Sequence, residues 1–241
     1  MGYYDDYYFK QPTVGELRAK AEKMIKKANK KGENWNPVPV IDGRKIAKSW
    51  WGKAWCDNLE RYADYDNRLE RGRRYVRHGA VVDLDITEGK VTAKVMGSGS
   101  EPYDINVDIS PLSEEKVNHI VSECSGRLAN AEALISGKFP DELKELFLEK
   151  GMLFPTPQEI KFSCSCPDWA YMCKHVAAVL YGVGARLDTD PVLFFTLRRI
   201  NISEFVDAAL MNRVETMLAN ADAKSQRIMD KNEIDGLFGV I

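Results

Sequence analysis

The segment Cys164-Ser165-Cys166, followed by Cys173-Lys174-His175, limits what this chain can fold into more than any other stretch. It gathers three of the five cysteines and one of the three histidines, while Cys56, Cys124, His78 and His119 lie elsewhere. Three thiolates and an imidazole make a closed tetrahedral donor set for structural zinc. Residues two apart in an extended segment point the same way, which aims Cys164 and Cys166 at one point. Pro167-Asp168-Trp169 then turns the chain back so that Cys173 and His175 arrive from the far side. Residues two apart on a helix do not face together, so Cys173 is expected just ahead of a helix whose first turn carries His175. Val176, Val179, Leu180 and Val183 repeat at the spacing of one apolar helical face, and Gly182 and Gly184 are expected to loosen its end. A helix N-terminus beside Lys174 also favours the negative charge of three thiolates. The other readings of these cysteines are core thiols, a disulfide or a catalytic thiol. No Cys-x-x-Cys occurs, and too few cysteines remain for a disulfide framework. Cys164, Cys166, Cys173 and His175 are therefore the expected ligands of a closed structural site, with Zn2+ as cofactor.

The run CSCPDWAYMCKHVAAVLYGVGARL resembles the SWIM zinc finger family, whose pattern is CxC, a gap, then CxH, here CxCx6CxH. The likeness extends to Ser49-Trp50-Trp51-Gly52, to NRLERGRRYVRHG from Asn67 to Gly79 with the strands after it, and to DPVLFFTLRRI from Asp190 to Ile200. This is the layout of bacterial SWIM-domain proteins; the segment before about Arg44 is not part of it. The resemblance implies interaction with DNA and protein, and an SNF2-family helicase or ATPase as partner.

With 241 residues, 44% hydrophobic and 29% charged, the chain can form one or two compact domains. Nothing approaches about 18 consecutive apolar residues, so no membrane span is expected. The start, MGYYDDYYFK, lacks the layout of a signal peptide. Thiols committed to a metal suit a reducing cytoplasm, the expected location. A net charge of −2, from 34 basic and 36 acidic side chains, argues against a general nucleic-acid coat but leaves room for a local basic face.

The fold class expected is α+β: an antiparallel three-stranded meander with flanking helices, a zinc-bound ββα finger and C-terminal helices. Residues 1–45 form an N-terminal arm and a basic amphipathic helix. Its tyrosine-rich start reads as a loose arm or a docking tag. Thr13 and Glu16 form a capping box, and Val14, Leu17, Ala21, Met24, Ile25 and Ala28 form the apolar stripe. Lys23, Lys27 and Lys30 lie off that stripe, on either a solvated face or one that follows phosphates. Residues 46–150 are expected to form an α+β domain. Trp50, Trp51 and Trp55 read as packing residues, and Cys56 as an inert core thiol. Arg68, Arg71, Arg73, Arg74 and Arg77 form the densest positive run, with Tyr75 within it as a stacking candidate. They suit phosphate forks or carboxylate pairs equally well.

Three alternating segments follow: Val82/Leu84/Ile86, Val91/Ala93/Val95 and Tyr103/Ile105/Val107/Ile109. A turn at Glu88-Gly89 sets Ile86 opposite Val91, which places Lys94 opposite Asp83 and, across the next pair, opposite Asp104. The surface aspartates then form a cross-strand charge ladder rather than a two-metal nuclease site. Helices are expected from Ser113 to Ser125, with His119 at the surface, from Leu128 to Ser136, and from Pro140. Residues 151–200 are expected to carry the finger, with strands at Met152–Phe154 and Glu159–Ser163, followed by a buried helix from Val192 to Leu197. Residues 201–241 should form a helix with Phe205, Ala208, Ala209 and Val214 inward, then a polar tether. Its apolar end, Leu237 to Ile241, reads as a strap or a docking motif.

No catalytic triad, phosphate-cradling glycine loop or HExxH helix is legible. The expected function is thus a non-enzymatic zinc-binding adaptor that contacts DNA (or RNA) or a protein working on DNA. The alternatives are a purely protein-binding scaffold and an enzyme of unrecognised type.

Overall fold

The computed structural model describes residues 13–61, 66–125, 144–149 and 151–220. The tyrosine-rich start, the helix expected from Leu128, the helix start at Pro140 and the Leu237 to Ile241 segment lie outside the described residues. Helix α1, Val14–Lys30, begins at the Thr13 capping box, where the Thr13 N–H donates to Glu16 Oε2 (2.8 Å) and the Glu16 N–H to Thr13 Oγ1 (3.3 Å). Leu17, Ala21, Met24 and Ala28 are its buried stripe, while Val14 at its first turn stays exposed. Helices α2, Trp50–Glu60, and α3, Asp66–Arg77, precede three antiparallel strands: β1, Val81–Thr87; β2, Lys90–Val95; and β3, Tyr103–Ile109. Helices α4, Glu114–Ser125, and α5, Lys144–Leu148, lead to β4, Ile160–Cys164. Helices α6, Lys174–Thr189, α7, Leu193–Leu197, and α8, Ile202–Ala219, complete the order.

The α+β class and the antiparallel sheet with flanking helices match expectation, and the register matches at the expected pairs, with a shift between Val81 and Asp83. Ile86 faces Val91, and Lys94 faces both Asp83 and Asp104. Lys94 Nζ bonds Asp104 Oδ1 at 2.6 Å, while Asp83 Oδ1 instead accepts the Asn36 N–H (2.9 Å). Alternation continues with Lys90 opposite Asp108 and Asp108 opposite Lys161. Opposite signs interleave over that face, as a ladder requires and a metal-gathering carboxylate cluster does not.

The sheet has four strands rather than three, in the order β1-β2-β3-β4. The second segment expected to belong to a separate finger is the fourth strand, with Ile105 opposite Cys164 and Ile109 opposite Ile160. The first segment, Met152–Phe154, is buried but irregular, and a 3-10 turn at Pro157–Glu159 leads into β4. The two prolines at 155 and 157 explain this: each lacks an N–H and restricts the residue before it, so no hairpin ladder runs through them. The finger is therefore an edge of the main sheet.

At the opposite edge, the proline-containing linker lies along β1, with the Val38 N–H donating to Val81 O (3.1 Å) and the Leu84 N–H to Asn36 O (3.0 Å). That cover satisfies edge groups that would otherwise invite another strand.

Helix α6 is the centre of the body. It is buried on nearly every side, packs on all four strands and is flanked by α2 and α3. Gly182 and Gly184 do not end it, since it runs on to Thr189. A Cβ on Gly184 would lie 2.8 Å from Cys56 Sγ, and one on Gly182 would lie 3.1 Å from Val38 Cγ2, so both allow close approach by neighbours. Gly72 does the same from α3: a Cβ there would lie 2.6 Å from Ala177 Cβ and 3.0 Å from the Ala178 nitrogen. Gly72→Ala gains up to about 1 kcal/mol of helix propensity but overpacks the interface, a cost of about 1–3 kcal/mol. The net expectation is a lower Tm in thermal unfolding, and an unchanged or higher Tm would contradict the packing.

The tryptophans pack, as expected. Trp55 donates its ring N–H to Leu180 O (2.8 Å) and Trp51 donates to Leu187 O (2.8 Å). The Asp188 carboxylate accepts the Lys48 and Ser49 N–H groups (2.5 and 3.1 Å) and contacts the Ser49 hydroxyl, which itself caps α2 through the Gly52 N–H. Ser49-Trp50-Trp51-Gly52 is thus the junction between α2 and the end of α6. Burial, helped by Asp57, Glu60 and Asp188, pushes the Cys56 thiol up to about 12 and keeps it protonated.

In α8 the inward residues are Phe205, Val206 and Ala209. Ala208 and Val214, expected inward, lie on the exposed side because they fall outside the phase set by Phe205 and Ala209. No helix among the described residues is long and apolar enough to cross a membrane.

Candidate metal centre

Cys164 is the last residue of β4, and Cys166 follows two residues on, as the extended geometry requires. Ser165 pins the turn between them, its N–H donating to Asp104 O and its hydroxyl accepting the Asp104 N–H, both at 3.0 Å. Cys173 is the N-cap of α6, with extended backbone angles of −69° and 166°, and His175 lies in the helix's first turn. The four donor atoms all lie within 4.8 Å of one another. Cys164 Sγ and Cys173 Sγ are each 3.9 Å from His175 Nδ1, which marks Nδ1 as the inward nitrogen. A zinc tetrahedron with bonds of about 2.0–2.3 Å separates its donors by roughly 3.5–3.8 Å. Donor chemistry and spacing both fit a closed four-coordinate metal site.

Cys164 and Cys166 are half-buried, and Cys173 and His175 are buried. The Cys164 side chain hydrogen-bonds to Cys173 and holds its thiol well below the ordinary range against the effect of burial, with help from His175 and the Val176 N–H. The same contact with Cys173, followed by burial, pushes Cys164 up. Burial also raises Cys166. Burial lowers His175, keeping the imidazole neutral with a lone pair for a metal.

The wall behind His175 comes from residues not assigned to the site from sequence. Tyr103 stacks on the imidazole with ring centres 4.5 Å apart, and Tyr75 meets it edge-on at 5.6 Å. A Cβ on Gly97 would come within 3.1 Å of His175 Nε2. Tyr75, considered a stacking residue for nucleic acid, is 1% exposed and packs against the site instead. Only the β3 register, which places Tyr103 beside the sheet's end, hinted at this wall.

The basic candidates divide. Arg68 forks onto Asp168 in the loop between the ligands (Nε to Oδ2 3.0 Å, Nη2 to Oδ1 3.2 Å). Arg73 pairs with Glu60 and lies 5.3 Å from the centre of the Tyr181 ring. Both are joined to carboxylates within the fold. Arg71, Arg74 and Arg77 are half-buried on α3. On α1, Lys27 pairs with Glu101 (3.0 Å), and Lys23 and Lys30 are exposed. His78 is lowered by burial first, then by Arg77, Arg74 and Arg18.

Residues 154–183 match the SWIM zinc finger family. Over 171 residues, 67% of this chain, the sequence is 36% identical to the uncharacterized protein Rv2102 of Mycobacterium tuberculosis (strain H37Rv), covering 61% of that protein's length. No solved structure matches the chain. The family match and the four converging donors together establish that this chain carries a SWIM zinc finger, built into the edge of its main sheet.

Proposed function

We propose that the chain is a non-enzymatic adaptor in which a zinc ion, bound by Cys164, Cys166, Cys173 and His175, fixes a face that contacts DNA or RNA. The observation that carries this reading is the packing of α3 on α6. The helix bearing Arg71, Arg74 and Arg77 touches, through Gly72, the helix whose first turn holds two of the metal ligands. Metal binding therefore sets the position of the cationic helix. Lys23 and Lys30 add exposed cations on α1. An SNF2-family ATPase is the protein partner that the SWIM resemblance suggests.

Replacing Arg71, Arg74 and Arg77 by Glu tests the reading, with Arg68 and Arg73 kept because they hold Asp168 and Glu60. Fluorescence anisotropy with labelled single- and double-stranded DNA and RNA should show binding that weakens with salt. The variant should lose affinity and flatten the logarithmic salt slope by about 2–3. Equal affinity and slope in variant and parent would remove α3 as the contact face.

A second reading has its own support. Met211, Val214, Met217 and Leu218 on α8 are 53–69% exposed, and exposed apolar surface of this kind marks a protein-binding face. Association that persists at high salt would favour a protein-binding scaffold.

A further inference from the structure

Trp169 is 80% exposed, in a loop with several anchored residues. Cys166 and Cys173 bound that loop on the metal side. Ala170 and Met172 point into the body, at 7% and 0% exposure. The Asp168 carboxylate takes both the Arg68 fork and the Ala170 N–H (3.3 Å). Tyr171 donates its hydroxyl to Ile160 O (3.1 Å), and its ring lies 5.0 Å from that of Phe162. The indole is thus presented by a backbone anchored on both sides of it. A large, rigid aromatic on an ordered loop loses little entropy when it makes a contact.

We propose that Trp169 is a base-stacking platform for single-stranded nucleic acid, with Arg71 and Lys174 beside it as phosphate contacts. This rests on the nucleic-acid reading above and names the strand form and the residue that recognises it. Charge decides for a nucleic acid over an apolar protein surface. The carboxylate next to it in the chain, Asp168, is paired with Arg68. Arg71 follows Arg68 by one turn of α3, and Lys174 opens α6 directly after Cys173. The Arg68 fork on Asp168 brings this part of α3 against the loop that carries Trp169. Two cations there outweigh the single net negative charge of a zinc ion with three thiolates. An indole face accepts any base, but only one already free of a duplex stack.

The test uses the full zinc-loaded chain as parent, Trp169→Ala and Trp169→Phe, after equal metal content and thermal stability are confirmed. Labelled oligothymidylate and oligouridylate of about 15 nucleotides and a mixed-sequence duplex serve as probes. Trp169→Ala should weaken single-strand binding on the order of tenfold. Trp169→Phe should retain most of it, and duplex binding should change less than about twofold, since phosphate contacts dominate there. Unchanged single-strand affinity in Trp169→Ala, or equal losses on single strand and duplex, would overturn the stacking role and leave the nucleic-acid reading standing. A parent that binds no probe even at low salt would overturn both, leaving the exposed indole as an anchor for a protein partner.

Discussion

Cys173→Ala is expected to unfold the whole body of the protein, not only the loop that carries the residue. Cys173 is the N-cap of α6, and α6 is the helix on which all four strands, α2 and α3 pack. The opposing ligand, Cys164, ends a strand paired to β3 at Ile105. A metal held by these donors would clamp the fourth strand to the central helix, and the His175 ring is packed between Tyr103 of β3 and Tyr75 of α3. Binding of structural zinc is worth about 10–16 kcal/mol, against a whole-domain stability of about 5–15 kcal/mol. Loss of one ligand should exceed what the rest of the core supplies. Far-UV circular dichroism should show helix loss well beyond α6, with collapse of the near-UV signal from buried Trp55. Intact helicity with only local change around residues 164–175 would mean that the finger is an appendage.

Arg198→Met should destabilise the protein by about 2–3 kcal/mol, because it removes charge-assisted bonds made by a buried guanidinium and leaves the part-buried Glu159 with only the Thr156 N–H and the more distant Lys116 (4.0 Å). Arg198 is 1% exposed; its Nη1 donates to Ser110 O (2.8 Å) and its Nη2 to Glu159 Oε1 (2.9 Å). Its own carbonyl accepts the Leu112 N–H (3.1 Å), and the Ser110 N–H donates to Glu159 O (2.8 Å). One side chain thus joins the end of β3, the turn into β4 and the end of α7. Burial would raise the Glu159 carboxyl, but the Thr156 N–H and Arg198 together hold it below the usual range. A carboxylate lowered in this way stabilises the fold above its unfolded pKa, and that contribution is lost as pH falls through the folded value. At neutral pH, the double variant Arg198→Met/Glu159→Gln should recover part of the loss in urea unfolding, since the carboxylate charge that Arg198 compensated is gone. Additive losses in the two single variants would show that the pair is not coupled.

Local periodicity carried the elements it governs. The Glu88-Gly89 turn and strict alternation placed Ile86 opposite Val91 and Lys94 between two aspartates, because a one-residue slip would have turned every apolar side chain outward. Ligand geometry was legible for a similar reason: Cys-x-Cys in extended chain and Cys-x-His across an N-cap leave little choice of arrangement. What depends on distant partners was not legible. Gly182 and Gly184 resemble helix-loosening residues, but their role is set by Cys56, Val38 and Leu84, far away in the chain. Pairing of β4 with β3 joins segments about fifty residues apart, which no local pattern encodes. Arg68 and Arg73 resemble their neighbours in sequence, and their carboxylate partners, Asp168 and Glu60, lie elsewhere in the chain. Trp169 is legible in sequence only as a turn residue, because exposure is a property of the folded loop.

The central claim is that the metal centre is part of the core. Its most direct test is to follow metal release and helix content together while a chelator is titrated into the metal-loaded full chain, with the released ion identified by elemental analysis. The account predicts one zinc ion per chain, released in the same transition in which far-UV and near-UV signals collapse. Quantitative release of the ion from a chain that keeps its helicity and tryptophan environment would contradict it.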